Sequence, residues 1–231
     1  LAPGGALDAR LSVAEALADL GTGRAEVKKL LLEAFGSAIS GQASATDIVN
    51  QPSITGSLDA EVRNADQLDE ALAEVLPGMS LKGLQGAALE TAFSVELGTE
   101  RLTVSEIAAN AVGVRLQGTA QGSGLLSKPT FSGSLSSNEF VPRDITKALG
   151  IELPEMADPS SLSKAKLAFD FSASASRIGL EKLQAQVDKS TLEGSASVAN
   201  FDAPVIRYDL ALDQIDIDRY LPPPSEQPET T

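Results

Sequence analysis

Three aspartates near the C-terminal end, Asp213, Asp216 and Asp218, stand close enough together to offer oxygen ligands to a hard cation. They lack the central Gly and the late Glu that an EF-hand type of calcium loop requires. Solvated strand-end carboxylates are therefore the expectation, and no metal is assigned. Asp209 with Asp213 is a carboxylate pair of the kind used in acid–base hydrolysis, but both fall on a polar strand face without an aromatic platform for a sugar. The chain has no His and no Cys in 231 residues. That removes disulfides, thiolate and imidazole metal sites, and every triad or dyad built on those side chains. The expectation is a protein that is not an enzyme and uses no cofactor. Arg24, Arg101 and Arg177 are a different case, because they recur at one repeat position beside a hairpin turn. Pairing with neighbouring carboxylates along a ladder is their simplest role. Contact with a lipid headgroup phosphate is the sharper one, given the bidentate geometry of the guanidinium.

The repeat that places these arginines is the strongest signal in the chain. Pro52, Gly56, Ser57 and Leu58 return 77 residues later as Pro129, Gly133, Ser134 and Leu135. The same offset pairs Gly21, Thr22, Arg24 and Val27 with Gly98, Thr99, Arg101 and Val104. A third, partial copy follows at 76 residues, matching Phe93, Arg101, Gly118 and Ala120 with Phe169, Arg177, Gly194 and Ala196. Repetition on this scale means one supersecondary unit laid beside its own copies. The expected organisation is a repetitive β domain over 1–224, with units at about 11–88, 89–165 and a partial 166–224, followed by a polar tail at 225–231.

Inside each unit the hydrophobic period is 2. Leu167, Phe169, Phe171 and Ala173 alternate with Ala168, Asp170 and Ser172, and Ile206, Tyr208, Leu210 and Leu212 alternate with Arg207, Asp209 and Asp213. Such strands have one apolar and one polar face, as in an antiparallel meander. The second unit reads as strands near 91–97, 101–109, 112–120 and 130–140. Turn residues separate them at Gly98-Thr99-Glu100, Gly122-Ser123-Gly124 and Asp188-Lys189-Ser190. One short helix closes each unit: Asp66 to Leu76, Pro142 to about Gly150, and a stub at Asp218 cut off by Pro222. Val27 to Phe35 has helical propensity, but its gapless alignment to the β-like Val112 to Leu116 region assigns it to a strand. The fold class is mainly β: repeated antiparallel meander units of four strands plus a short helix, forming a curved or groove-shaped sheet.

The formal charge of −14 and a pI near 4.4 offer no basic stripe, so nucleic acid is excluded as a partner. No apolar run reaches the ~18 residues of a membrane span. The chain opens Leu1-Ala2-Pro3 and ends in a Pro/Glu/Thr tail, which reads as a segment of a longer protein whose membrane anchor would lie elsewhere.

Leu210-Ala211-Leu212-Asp213-Gln214-Ile215-Asp216-Ile217-Asp218-Arg219-Tyr220-Leu221-Pro222-Pro223 closely resembles the ending of the AsmA domain. Phe140-Val141-Pro142-Arg143, Ala148-Leu149-Gly150, Ala157-Asp158-Pro159-Ser160-Ser161-Leu162-Ser163 and Ser190 to Val198 resemble the motifs that precede it. The resemblance spans about Glu139 to Pro224. It implies a periplasmic segment of a Gram-negative envelope protein, anchored to the inner membrane outside this chain. It further implies a part in outer-membrane biogenesis and a likeness to bridge-like proteins that carry phospholipid along a β-groove.

About eleven strands at ~4.8 Å give an apolar trough roughly 50 Å long, and one short helix per unit is too little to cover it. Val95, Leu97, Val114, Leu116, Phe131, Leu135, Phe169, Phe171, Leu192, Val198, Ile206, Tyr208 and Leu210 are the side chains expected on that face. Two readings of them stand: the lining of a lipid groove, or the core of an ordinary two-layer sandwich. The first makes phospholipid or another acyl lipid the partner. An envelope protein bound through a sheet edge, with the chain as a scaffold for outer-membrane protein assembly, is the alternative.

Overall fold

The computed structural model describes residues 9–73 and 78–223. It is one sheet of twelve strands in strict chain order, every neighbour antiparallel. The strands are β1 (Arg10–Asp19), β2 (Arg24–Ala34), β3 (Ser37–Thr46), β4 (Ser53–Val62), β5 (Ala88–Glu96), β6 (Arg101–Ala111), β7 (Val114–Ser123), β8 (Thr130–Ser137), β9 (Ala165–Ser174), β10 (Arg177–Val187), β11 (Ser190–Ala199) and β12 (Val205–Leu212). The first and last strands do not meet, so the sheet is open. The third unit is therefore complete in strands, and the count is twelve rather than about eleven. β2 is a strand throughout: its leucines pack against β1 and β3, and cross-strand pairing outweighs helical propensity. Gly122 and Ser123 lie inside β7, and the loop begins at Gly124.

Pairing slips by one residue at the same place in each unit, between Val27 and Leu30, Val104 and Ile107, and Leu180 and Leu183. These are β-bulges in β2, β6 and β10. A bulge bends its strand and adds local twist, so three of them at one repeat interval curve the sheet regularly.

The helices stay at the rim. α1 (Ala65–Leu72) starts on Asn64, whose side chain accepts from the Gln67 amide. α2 (Pro142–Ala148) starts on a proline, which needs no amide partner there. Residues 74–77, the expected end of the first helix, lie outside the described residues. A 3-10 turn at Lys82–Leu84 joins α1 to α2: Asp69 accepts from the Leu81 amide, and the Ser80 amide donates to the Leu149 carbonyl. A second 3-10 turn, Ile217–Arg219, ends the third unit. Both helices and both turns follow strand ends on one side of the sheet, where β4, β8 and β12 finish.

Candidate functional site: the apolar face

Cross-strand partners share a face, so the pairing registers trace rows of side chains across the sheet. One row runs Ala16, Val27, Ala43, Gly56, Phe93, Val104, Ala120, Gly133, Phe171, Leu180, Ala196, Tyr208, touching every strand. A second runs from Ala18 through Ile54, Val95, Leu102, Phe131 and Ile178 to Ile206. Two more start at Val13 and Leu11 and end at Leu210 and Leu212. None of these rows contains Asp, Glu, Lys or Arg. Their polar atoms are the hydroxyls of Thr91, Ser137 and Tyr208, and Ser137 accepts from the Leu167 amide where β8 stops pairing with β9.

Nothing covers this face among the described residues. No helix lies along a strand, and there is no second sheet. The buried apolar residues are Ala38, Ala65, Leu81 and Ala165, so no large side chain of the four rows is buried. Accessible surface is 15554 Å², against about 9,900 Å² expected for a compact 23.9 kDa monomer. The sandwich-core reading is thereby overturned: the apolar residues line an open surface about 50 Å long. Soluble monomers seldom expose an apolar patch above ~600 Å², and a field of four rows by twelve strands is well beyond that.

Glycine keeps the face low. A Cβ on Gly56 would stand 2.8 Å from the Phe93 ring, on Gly133 2.7 Å from Phe171, and on Gly118 2.8 Å from Leu135. The large side chains thus lie down over bare backbone in the next strand instead of standing into solvent, which recovers apolar contact without a second layer.

Twelve of the thirteen expected lining residues share this face. Leu97 has the right parity but lies past the end of β5, in the hairpin turn, with its amide on the Pro52 carbonyl. Reading by sequence missed the first unit's share, Leu30, Leu32, Ile54 and Leu58, along with Phe93 and Leu102. The 77-residue offset pairs Leu58 with Leu135 and would have found it.

The opposite face carries Ser, Thr, Gln and charge. Arg24, Arg101 and Arg177 each begin the second strand of their unit there, turned away from the apolar rows. Arg24 and Arg101 face Asp19 and Glu96 in register, yet none of the three arginines pairs with a carboxylate among the described residues. The ladder role expected for them fails: Asp19 spends its carboxylate on the amides of Thr22 and Gly21, and Glu96 on the Thr99 hydroxyl. Arg101 and Arg177 instead flank one shallow concavity of about 700 Å³ with the hydroxyls of Ser123, Thr130, Ser132 and Ser174. Polar-face ion pairs lie elsewhere. Arg63 bridges Glu33 and Glu61 over Ala38, and Lys182 in the β10 bulge meets Asp170 at 2.7 Å.

The carboxylates of the third unit serve as clamps. Asp158 is held down at about 2, first by the Ser160 hydroxyl and amide and then by Arg219 at 2.7 Å. Burial pushes the Asp188 carboxyl up, but hydrogen bonds from the Leu162 amide, the Tyr220 hydroxyl and Ser163 outweigh it, leaving a net lowering. Asp213 accepts from the Thr191 and Gln214 amides, which lower it. With one oxygen so engaged, it does not converge with Asp216 and Asp218 on a cation, and no group of three potential ligands occurs among the described residues. No described helix is long and apolar enough to cross a membrane.

Comparison with known proteins adds no neighbour: no protein-family model, no curated protein and no solved structure matches the chain.

Proposed function

We propose that the chain is a non-catalytic carrier surface, on which acyl lipid lies along the apolar rows while its headgroup stays in water. The single observation that carries this reading is the uncharged, uncovered face running through all twelve strands. Each methylene laid on that face and withdrawn from water contributes up to about 0.8 kcal/mol, with no polar motif needed. The resemblance to AsmA domains supports the same reading and supplies its setting: phospholipid moved between envelope membranes, in the periplasm, by a protein anchored to the inner membrane. Under this reading the mechanism is passive, and the sheet supplies a continuous track without cofactor or chemical step. The second reading is a scaffold that binds an envelope protein by strand addition at a sheet edge, and capture of such a partner by the immobilised chain in the absence of lipid would support it.

Native mass spectrometry of the purified chain, followed by lipid extraction, tests the first reading. Expected is co-purifying phospholipid at defined stoichiometry, lost in Phe169→Asp while circular dichroism keeps its β signal. Lipid-free protein that also binds no fluorescent fatty acid or phospholipid would overturn it and leave the scaffold reading.

A further inference from the structure

Arg24, Arg101 and Arg177 divide the polar face into two intervals of four strands each, and the repeat makes one interval a control for the other. Across the first, one row runs Arg24, Thr46, Ser53, Glu96, Arg101, and the row beside it Glu26, Ser44, Thr55, Ser94, Thr103. Across the second, the rows run Arg101, Ser123, Thr130, Ser174, Arg177 and Thr103, Gln121, Ser132, Ser172, Gly179. Register for register, Ser174 stands in the place of Glu96 and Thr103 in the place of Glu26. Both carboxylates are thus absent from the second interval, while its hydroxyl positions stay polar.

The second interval is the concavity of about 700 Å³ between Arg101 and Arg177. Its lining holds two guanidinium groups, several hydroxyls and one carboxamide but no acid, in a chain of net charge −14. Neither arginine pairs with a carboxylate among the described residues. The Ser123 and Thr130 hydroxyls bond each other at 2.8 Å, whereas the side chains of Thr103, Gln121, Ser132 and Ser172 have no hydrogen-bond partner among the described residues. Acid returns in the next row, where Asp170 faces Glu181 and meets Lys182 at 2.7 Å, so the acid-free patch has an edge. Arg101 and Arg177 stand four strands apart, about 19 Å, and both line the same depression.

We propose that this depression binds a sugar phosphate carrying two phosphate groups, one on each arginine, with the sugar between them over the hydroxyl rows. The guanidinium fork matches phosphate oxygens two at a time. Thr103, Gln121, Ser132 and Ser172 can both donate and accept, as the hydroxyls of a sugar require. Two phosphates set apart use both arginines without drawing either side chain to full extension. The net charge of the chain repels anions at a distance, so the site holds by contact, and its affinity falls as salt screens the exposed ion pairs. The apolar rows lie on the other face of the sheet. Either face can be occupied without the other, and the anion site does not rest on the carrier reading.

Isothermal titration calorimetry with glucose 1,6-bisphosphate at low ionic strength is the test, run beside glucose 6-phosphate and pyrophosphate. Expected is one-to-one binding of the bisphosphate, about tenfold tighter than glucose 6-phosphate. Arg101→Gln and Arg177→Gln should each bring the bisphosphate down to the affinity of the monophosphate. Ser174→Glu, which restores the acid of the first interval, should abolish binding, and Arg24→Gln should leave it unchanged. A folded chain that does not bind the bisphosphate, or binds it no tighter than the monophosphate, overturns the proposal. So does an equal loss in Arg24→Gln and Arg101→Gln, which would mean a diffuse effect of charge. Pyrophosphate binding as tightly as the bisphosphate overturns the sugar, since nothing would then lie on the hydroxyl rows. All four substitutions fall on the polar face, and circular dichroism checks that each variant keeps its β signal.

Discussion

Tyr220 and Asp188 show how little burial is needed to fix the end of this sheet. The Tyr220 hydroxyl donates to Asp188 at 2.8 Å, and its pKa is raised, first by burial and then by that hydrogen bond. A raised phenol contributes stability that is complete below the ordinary value near 10 and lost as pH rises through the folded value. The lowered carboxylates Asp158 and Asp188 act in the opposite sense: their contribution is present above the ordinary carboxylate value near 4 and lost as pH falls through the folded value, which is about 2 for Asp158. In a Tyr208→Phe background Tyr220 is the sole tyrosine, and its absorbance titration is expected above the ordinary phenol range. Asp188→Asn should move it back down, and an unmoved titration would show that the contact does not hold in solution. A second residue-scale expectation concerns Gly133. A Cβ there meets the Thr119 carbonyl oxygen as well as the Phe171 ring. Gly133→Ala should cost about 1–3 kcal/mol by overpacking. Adding Phe171→Ala should recover only part of that in urea denaturation, because the Thr119 oxygen belongs to the backbone and cannot step aside.

At the scale of the strand, the bulges separate two kinds of deletion. In β10, Ile178 and Leu180 share a face with Leu183, Ala185 and Val187 only because two residues, Glu181 and Lys182, sit between the two runs. Deleting Lys182 restores strict alternation and keeps every apolar residue on its face, so the fold should survive with less curvature and without the Asp170 ion pair. Deleting Thr119 in β7, which has no bulge, puts Gln121 and Ser123 among the apolar rows and turns Ala120 and Gly122 out. That variant should lose its β circular dichroism signal or melt far earlier, while the Lys182 deletion should not; equal behaviour would mean that face assignment does not control the fold. This contrast also marks what the sequence could carry. Alternation over Leu167 to Ala173 and the offset from Gly56 to Gly133 were enough to read meander, repeat and face. The bulges were not legible, because an extra residue in β6 interrupts the period at Ser105 and Glu106 without any turn residue to announce it. The openness of the face was not legible either. Period 2 says that Phe169 and Leu135 lie on one side, and says nothing of whether another layer meets them.

For the whole molecule, an open single layer changes how the chain should unfold. A two-layer domain loses its core at once, and that shared core makes unfolding all-or-none. Here each strand contacts its two neighbours and little else, so stability is close to a sum of nearest-neighbour terms. The rim adds local clasps, as where the Ala157 amide donates to the Leu221 carbonyl and Arg219 binds Asp158, tying the last unit's end back to the segment after α2. Amide hydrogen exchange should therefore be graded, fastest in β1 and β12, slower inward, and slowest in β5 to β8, where strands have several paired neighbours on both sides. Acyl lipid laid along the rows would slow the central strands further, because it shields backbone on one face of all of them at once. A uniform exchange rate across the sheet that collapses in a single step would contradict this nearest-neighbour account. It would require a second layer closing over the apolar face in solution, and the carrier reading would fall with it.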